Sequence, residues 1–402
     1  MGVRHGWGRS NSAPALGGAF ALALFGVPGP CRSFDDVSVP RDGGLTGTAD
    51  AAAAPDTECV DCPAPCTADR ADCDDDPGNG CETDLTTTSA SCGACGHSCL
   101  GGACSAGRCQ PVTLASEQSR PTGLALDDTH AYWTNQAAPG DVMRVARGGG
   151  TPEVVAAGHT NPTGIAVDSE AVYWTDYAAE YKGGVWKIRK DDAGKPGAAV
   201  EIAPGENSAL TIAVDDVFVY WTTPSMVFRI PKSGGKKSEV AHDQATPGGI
   251  AVDLTGVYWA CVVGGTVMRW NLDADALPEV LATGQAGPAG LAIDNANVYW
   301  TNMYGDADAG AQAVMAAPKY NGTPRVIALG QSNPTGIAEL GTSLCWANND
   351  LGTIACKAKT ATESDETEIL ATGEQGPFGV VMSLSAVYWT SQEGGTIRYV
   401  AR

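Results

Sequence analysis

"NPTGIAVDSEAVYWTDY", residues 161–177, joins a short apolar run, an acidic turn and an aromatic pair. Alone it reads as one β-hairpin, two strand-forming runs around an Asp-Ser turn. Its weight comes from repetition. The Trp of the motif recurs at 133, 174, 221, 259, 300, 346 and 389, at intervals of 41, 47, 38, 41, 46 and 43 residues. Twelve residues before each stand Pro121, Pro162, Ala209, Pro247, Pro288, Pro334 and Pro377, with no insertion in any copy. Two further runs complete each unit, such as "GTVMRW" and "PEVLA" in the fourth copy. Four short strands in a period of roughly 40–45 residues predict one blade of a β-propeller.

Seven copies predict an all-β, seven-bladed propeller over residues 111–402. The seventh copy stops after its third strand, "GTIRYVAR", while "PVTLAS" at 111–116 is an orphan fourth strand. The N-terminal strand is therefore expected to complete the last blade, leaving no open sheet edge. Gly123, Gly164, Gly249, Gly290, Gly336 and Gly379 recur where the innermost strands crowd the channel, with Thr211 the exception. Asp127, Asp168, Asp215, Asp253 and Asp294 close the first strand, where a carboxylate accepts N–H groups of the turn. Tyr173 and Trp174 alternate across a strand covered on both faces, so both are read as core.

Tyr132, Tyr173, Tyr220 and Tyr258 have Arg144, Lys187, Arg229 and Arg269 at matching third-strand positions, and Tyr388 has Tyr399. The sixth copy puts Cys345 and Cys356 in those two places, which predicts a hairpin disulfide. Cys261 is left as a lone buried thiol.

The remainder of the chain is built differently. Arg4 and Arg9 precede "APALGGAFALALFGV", so residues 1–31 read as an export signal, with Cys31 as a candidate lipid anchor even though Pro30 precedes it. Residues 32–58 have almost nothing to bury and read as a flexible linker. Ten cysteines lie in residues 59–110, a disulfide-rich module whose pairing sequence does not give. The spacing C-x2-C-x3-C occurs twice there, suggesting two related half-modules or thiolate metal sites. Asp72, Asp74 and Asp76 alternate as oxygen ligands around calcium do, which makes Ca2+ the candidate cofactor. Pro77 and Thr83 depart from the EF-hand pattern, and a solvated acidic turn is the other reading.

A formal net charge of −21 repels phosphate backbones and anionic lipid, which sets nucleic acid aside as a partner. Beyond the leader no apolar run is long enough for a membrane span.

"VYWTD" at 172–176, with "VYWTN" and "AYWTN" elsewhere, resembles the YWTD repeats of the low-density lipoprotein receptor family. The repeats are also similar to those of the seven-bladed streptogramin lyases and of secreted lactonase propellers. "DCDDDPGNGCETD", residues 72–84, resembles cysteine-rich modules ahead of propellers in secreted proteins of gliding bacteria. The receptor resemblance implies a propeller that binds proteins or helps release a ligand. The enzyme resemblances imply His and Glu, or metal-binding carboxylates, at the channel mouth. His130, His159 and His242 stand at no evident recurring position, and no G-x-S-x-G, H-E-x-x-H or P-loop pattern appears. The reading is thus an exported or surface propeller, non-enzymatic, that binds an extracellular protein or polysaccharide. The alternative is a metal-dependent lyase or lactonase of the same fold. The expected binding face carries the second-to-third-strand loops and inter-blade loops. Tyr177, Tyr181 and Lys182 on one long loop, and Met303, Tyr304, Asp306 and Asp308 on another, are the candidate contacts.

Overall fold

The structure, a computed structural model, describes residues 66–76, 78–272, 277–304, 312–320 and 322–402. The export segment, the linker, Cys31, Cys59, Cys62, Asp306 and Asp308 lie outside the described residues. Within the compact unit Pro63–Arg402, seven four-stranded antiparallel sheets follow one another in chain order. Blade 2 is typical, with Pro162–Val167 innermost, then Ala171–Asp176, Gly183–Arg189 and Val200–Glu206 outermost. Blade 7 takes Pro377–Met382, Ala386–Ser391 and Thr396–Ala401 from the C-terminal end and Val112–Ala115 as its outer strand. Ile397 pairs with Ala115 and Tyr399 with Val112, so the N-terminal strand closes the ring. A single 3-10 turn, Lys190–Asp192, interrupts the β structure of the described residues. No helix among these residues is long and apolar enough to cross a membrane.

The core lies between blades. All seven motif tryptophans are 0 % exposed, and Tyr132, Tyr220, Tyr258 and Tyr299 are also fully buried. An aromatic ring that buries about 150–250 Å² contributes at most about 4–6 kcal/mol against an extended chain, so these rings dominate the hydrophobic term.

Two polar devices hold neighbouring blades in register. Near the channel, a Cβ on Gly290 would lie 2.1 Å from the carbonyl oxygen of Thr335, one blade on, and on Gly336 2.2 Å from that of Phe378. Only glycine lets these backbones approach so closely. In the five blades where Thr follows the Trp, that Thr uses the approach; Ala260 and Ala347 take its place in blades 4 and 6. Thr134, Thr175, Thr301 and Thr390 accept the N–H of Gly123, Gly164, Gly290 and Gly379. Their hydroxyls donate to the carbonyls of Thr163, Leu210, Thr335 and Thr122, each in the next blade, at 2.6–3.1 Å. Where Thr211 replaces the glycine, its own hydroxyl reaches the carbonyl of Gly248.

On the opposite side of the ring the recurring aspartates do more than close a turn. Asp168 accepts the N–H groups of Glu170 and Ala171 through one oxygen and the Tyr173 hydroxyl and Lys232 ammonium through the other. Lys232 belongs to the next blade. Asp127 with Lys190, Asp253 with Lys319 and Asp294 with Lys359 repeat the clasp. Burial opposes ionisation of Asp294, but the turn N–H groups, Lys359 and Tyr299 outweigh it and hold its carboxyl down at about 2.

Four disulfides brace the described part of the cysteine module: Cys66–Cys81, Cys73–Cys95, Cys92–Cys104 and Cys99–Cys109. The module packs on blades 6 and 7, where Cys92, Cys99 and Cys109 share an apolar cluster with Cys345, Cys356 and Val400. Tyr399 donates its hydroxyl to the carbonyl of Leu100 at 2.6 Å. Cys345 and Cys356 face each other across the blade 6 hairpin and are disulfide-bonded, with Cα atoms 4.1 Å apart. Cys261 is the free cysteine of the described residues and is buried.

Candidate functional site

The second-to-third-strand connections and the inter-blade connections share one face of the ring. Gln136, Tyr177, Val262, Met303, Asn349 and Gln392 each donate a backbone N–H to the connection entering their own blade, at Arg120, Asn161, Thr246, Gly287, Asn333 and Gly376. These 2.9–3.2 Å bonds tie the loops to the frame, so side chains projecting from them are held on a firm base.

Tyr177 is 38 % and Tyr181 70 % exposed, and Tyr304 is 55 % exposed. Glu180 and Tyr181 both have φ near +58°, a left-handed conformation unusual for such residues. Lys182 is exposed and engaged only with Glu180, at 2.8 Å. Met303 is partly buried, and the Tyr304 ring lies over Gly287, where a Cβ would come within 2.2 Å of it. The described candidates do not form one patch. The first loop rises from blade 2 and the second from blade 5, with blades 3 and 4 between them.

Beneath this face lies a repeated lock that the sequence reading passed over. Fifteen residues before every motif Trp stands an acceptor for its indole N–H: Gln118, His159, Glu206, Gln244, Gln285, Gln331 and Glu374, at 2.8–3.3 Å. His159 therefore does occupy a recurring position, contrary to expectation. The same acceptor often takes a second donor two residues after the Trp, as Gln331 does from Asn348 and Glu374 from Ser391. Where the acceptor is a glutamate a cation accompanies it, Lys237 beside Glu206 and Arg398 beside Glu374.

Blade 2 builds this lock on an imidazole. His159 Nδ1 lies 3.0 Å from Asp176 Oδ2 and 3.3 Å from Trp174 Nε1, an acceptor and a donor that one nitrogen cannot satisfy together. The ring is edge-on to Trp174 and Trp186. Asp176 Oδ1 and Trp186 Nε1 are buried without a partner. Burial, and then the charge of Asp176, push the Glu201 carboxyl up, with His159 opposing. Asp176 opens the loop that carries Tyr177 and Tyr181, so this polar cluster is the foot of that loop.

In the module, carboxylate oxygens of Asp72, Asp74 and Glu82 lie within 4.8 Å of one another. Asp72 Oδ1 and Glu82 Oε2 are buried and unpartnered. Burial, then hydrogen bonding with Asp74 and the charge of Glu82, push the Asp72 carboxyl up. Asp76 is absent from this group and caps its own turn, accepting the N–H of Gly78 at 2.8 Å. Glu82, not Asp76, lies with Asp72 and Asp74.

No protein-family model matches the chain, and no curated protein matches it in sequence. Among solved structures the chain is similar to virginiamycin B lyase from Staphylococcus aureus, with a TM-score of 0.60 and 15 % identity over 73 % of this chain and 98 % of that one. It is similar to U3-55K at a TM-score of 0.60 and 10 % identity, covering 73 % and 98 % of the two chains. The WD40 β-propeller domain of Doa1 gives 0.58 and 13 %, covering 72 % and 95 %. At such identities the likeness is one of fold. The class of protein defined here is a seven-bladed β-propeller carrying a disulfide-braced N-terminal module.

Proposed function

We propose that the protein is exported or held at the cell surface and that it binds a protein or polysaccharide, without catalysis, through its loop face. The observation that carries this reading is the exposure of Tyr177, Tyr181 and Tyr304 on loops tied to a rigid frame. Tyrosine gives a large amphipathic contact at low entropic cost. The recurring polar side chains support the same reading, because the aspartates serve the inter-blade clasps and the acceptors serve the tryptophans. The disulfides and the apolar leader of residues 1–31 support export.

The test is retention of the labelled protein on cell envelopes, with Tyr177→Ser, Tyr181→Ser and Tyr304→Ser combined. The triple variant is expected to fold normally and to be released at least about tenfold more readily, the loss of two or more interface anchors. Equal retention of the two proteins overturns the reading. Protease or glycosidase treatment of the envelopes tells the two ligand classes apart.

The second reading, a metal-dependent lyase or lactonase, rests on the titratable cluster of His159, Asp176 and Glu201. Thermal midpoints in chelator and in millimolar calcium or magnesium decide it, using the variant Asp74→Asn/Glu82→Gln. A metal-induced rise that survives in that variant places an ion in the propeller and favours the enzyme. A rise confined to the parent protein assigns calcium to the module, where Asp72, Asp74 and Glu82 would hold it.

A further inference from the structure

In five of the locks beneath the loop face a single oxygen takes two donors. Besides the indole N–H, Gln118, Gln285 and Gln331 accept the side-chain amide of Asn135, Asn302 and Asn348, two residues after the Trp, at 3.0–3.1 Å. Ser391 and Cys261 donate from the same position to Glu374 and Gln244. Blade 2 carries Asp176 there, and its Oδ2 lies 3.0 Å from His159 Nδ1, in the place where the asparagines put their nitrogen. The other atom matches too, since Oδ1 is buried without a partner in Asp176 as it is in Asn135 and Asn348. An ionised carboxylate only accepts. Beside a neutral imidazole it either faces a lone pair on Nδ1 or takes the Nδ1 proton, which leaves the buried Trp174 N–H with no acceptor.

One further proton removes the conflict. A neutral Asp176 donates from Oδ2 to Nδ1, Nδ1 stays open to the Trp174 N–H, and blade 2 then has the donors and the acceptor of the other blades. The surroundings favour that proton. Asp176 is 4 % exposed, and His159 is its one ion-pair partner among the described residues. On the outer strand Glu201 is a second carboxylate, pushed up by burial and then by the charge of Asp176, with His159 opposing. On blade 1, Asp141 accepts the N–H of Gly158, next to His159 in the chain. Lys195, on the connection that borders the same cleft as His159, is turned to Asp192 at 2.7 Å.

We propose that His159 and Asp176 share a proton that latches the loop of Tyr177 and Tyr181 to blade 2, and that loss of this proton as pH rises frees the loop. Imidazole changes charge between about pH 5 and 8, and in a coupled pair the proton belongs to both groups. The folded latch needs the proton and the unfolded chain does not, so its contribution is present at low pH and lost as pH rises. Tyr177 follows Asp176 directly and is tied to Asn161 by its backbone N–H at 3.1 Å, which puts the foot of the loop one residue from the latch. The device concerns the order of the loop itself and holds whatever the loop face binds.

The experiment is amide hydrogen exchange of the full, disulfide-intact protein in buffers containing chelator. Asp176→Asn, which supplies a permanent donor, is measured at each pH as the reference, so that the intrinsic pH dependence of exchange cancels. At about pH 5.5 the Tyr177 amide is expected to exchange at the same rate in parent and variant, and at about pH 8.5 at least about tenfold faster in the parent, the effect of one orphaned buried donor. The Met303 amide, bonded to Gly287 in the same way on blade 5, is expected to show no difference at either pH. His159→Gln/Asp176→Asn reproduces the residues of blades 1, 5 and 6 and serves as a second reference, expected to agree with the first. A Tyr177 rate ratio that fails to rise with pH against either reference overturns the proposal.

Discussion

Replacing Gln331 by leucine isolates the lock beneath the loop face. Gln331 is 7 % exposed and Trp346 is 0 % exposed. The Gln331 side-chain oxygen accepts the Trp346 indole N–H at 2.8 Å and the Asn348 amide at 3.0 Å. Asn348 retains Thr353 Oγ1 at 3.1 Å, so the leucine leaves one buried donor wholly unpaired and a second partly so. An orphaned buried donor costs about 1–3 kcal/mol, which puts Gln331→Leu at about 2–4 kcal/mol. In a domain of this size that is a fall of roughly 4–8 °C in thermal midpoint. Calorimetry on Gln331→Leu, Trp346→Phe and the double variant gives the coupling directly. Phenylalanine removes the donor, so in that background the leucine should cost at least about 1 kcal/mol less. A cost below about 0.5 kcal/mol, or a coupling indistinguishable from zero, refutes the idea that these acceptors lock the blades.

Acid should loosen the clasps on the opposite face. Asp294 is held at about 2, below its unfolded value near 3.9, so its contribution is present above pH ~4 and lost as pH falls towards 2. Urea midpoints at pH 5 and pH 2.5 should show this loss, and Lys359→Met should shrink the difference between the two pH values. Gly290→Ala places a Cβ 2.1 Å from a backbone oxygen and should cost more than about 3 kcal/mol, whereas Gly148→Ala, with open space around it, should be near neutral by the same chemical denaturation. Tyr399→Phe removes the hydroxyl bonded to Leu100 and should cost about 1 kcal/mol, read as faster proteolysis at the boundary between module and ring.

The ring was legible because its marks are identities at fixed spacing inside one hairpin: Pro, Gly, Asp and Trp with no gap between them. The acceptors fifteen residues before Trp133, Trp174 and the rest also keep a constant spacing, yet they are four glutamines, two glutamates and a histidine. What they share is a lone pair, and identity matching does not see that. Lys190, Lys232, Lys319 and Lys359 were hidden for another reason, since loops of variable length separate them from the motif. The pairing of Cys345 with Cys356 was readable because it substitutes for a recognised cross-strand pair. The module's pairings and the move from Asp76 to Glu82 depend on chain path, which ten cysteines and six neighbouring carboxylates do not define. Tyr177, Tyr181 and Tyr304 were picked out by the length of their loops and the mix of aromatic and charged residues there.

Closure by Val112–Ala115 also fixes how the molecule bears force. A pull arriving from residues before Cys66 would, on a bare propeller, peel the outer strand of blade 7 away one bond at a time, the weakest way to load a sheet. Here it first meets a cross-linked block seated on blades 6 and 7. Cys99–Cys109 and the Tyr399–Leu100 contact stand between the line of tension and the seam. The module works as a strain relief, and under reducing conditions the ring should open at that seam before any blade unfolds.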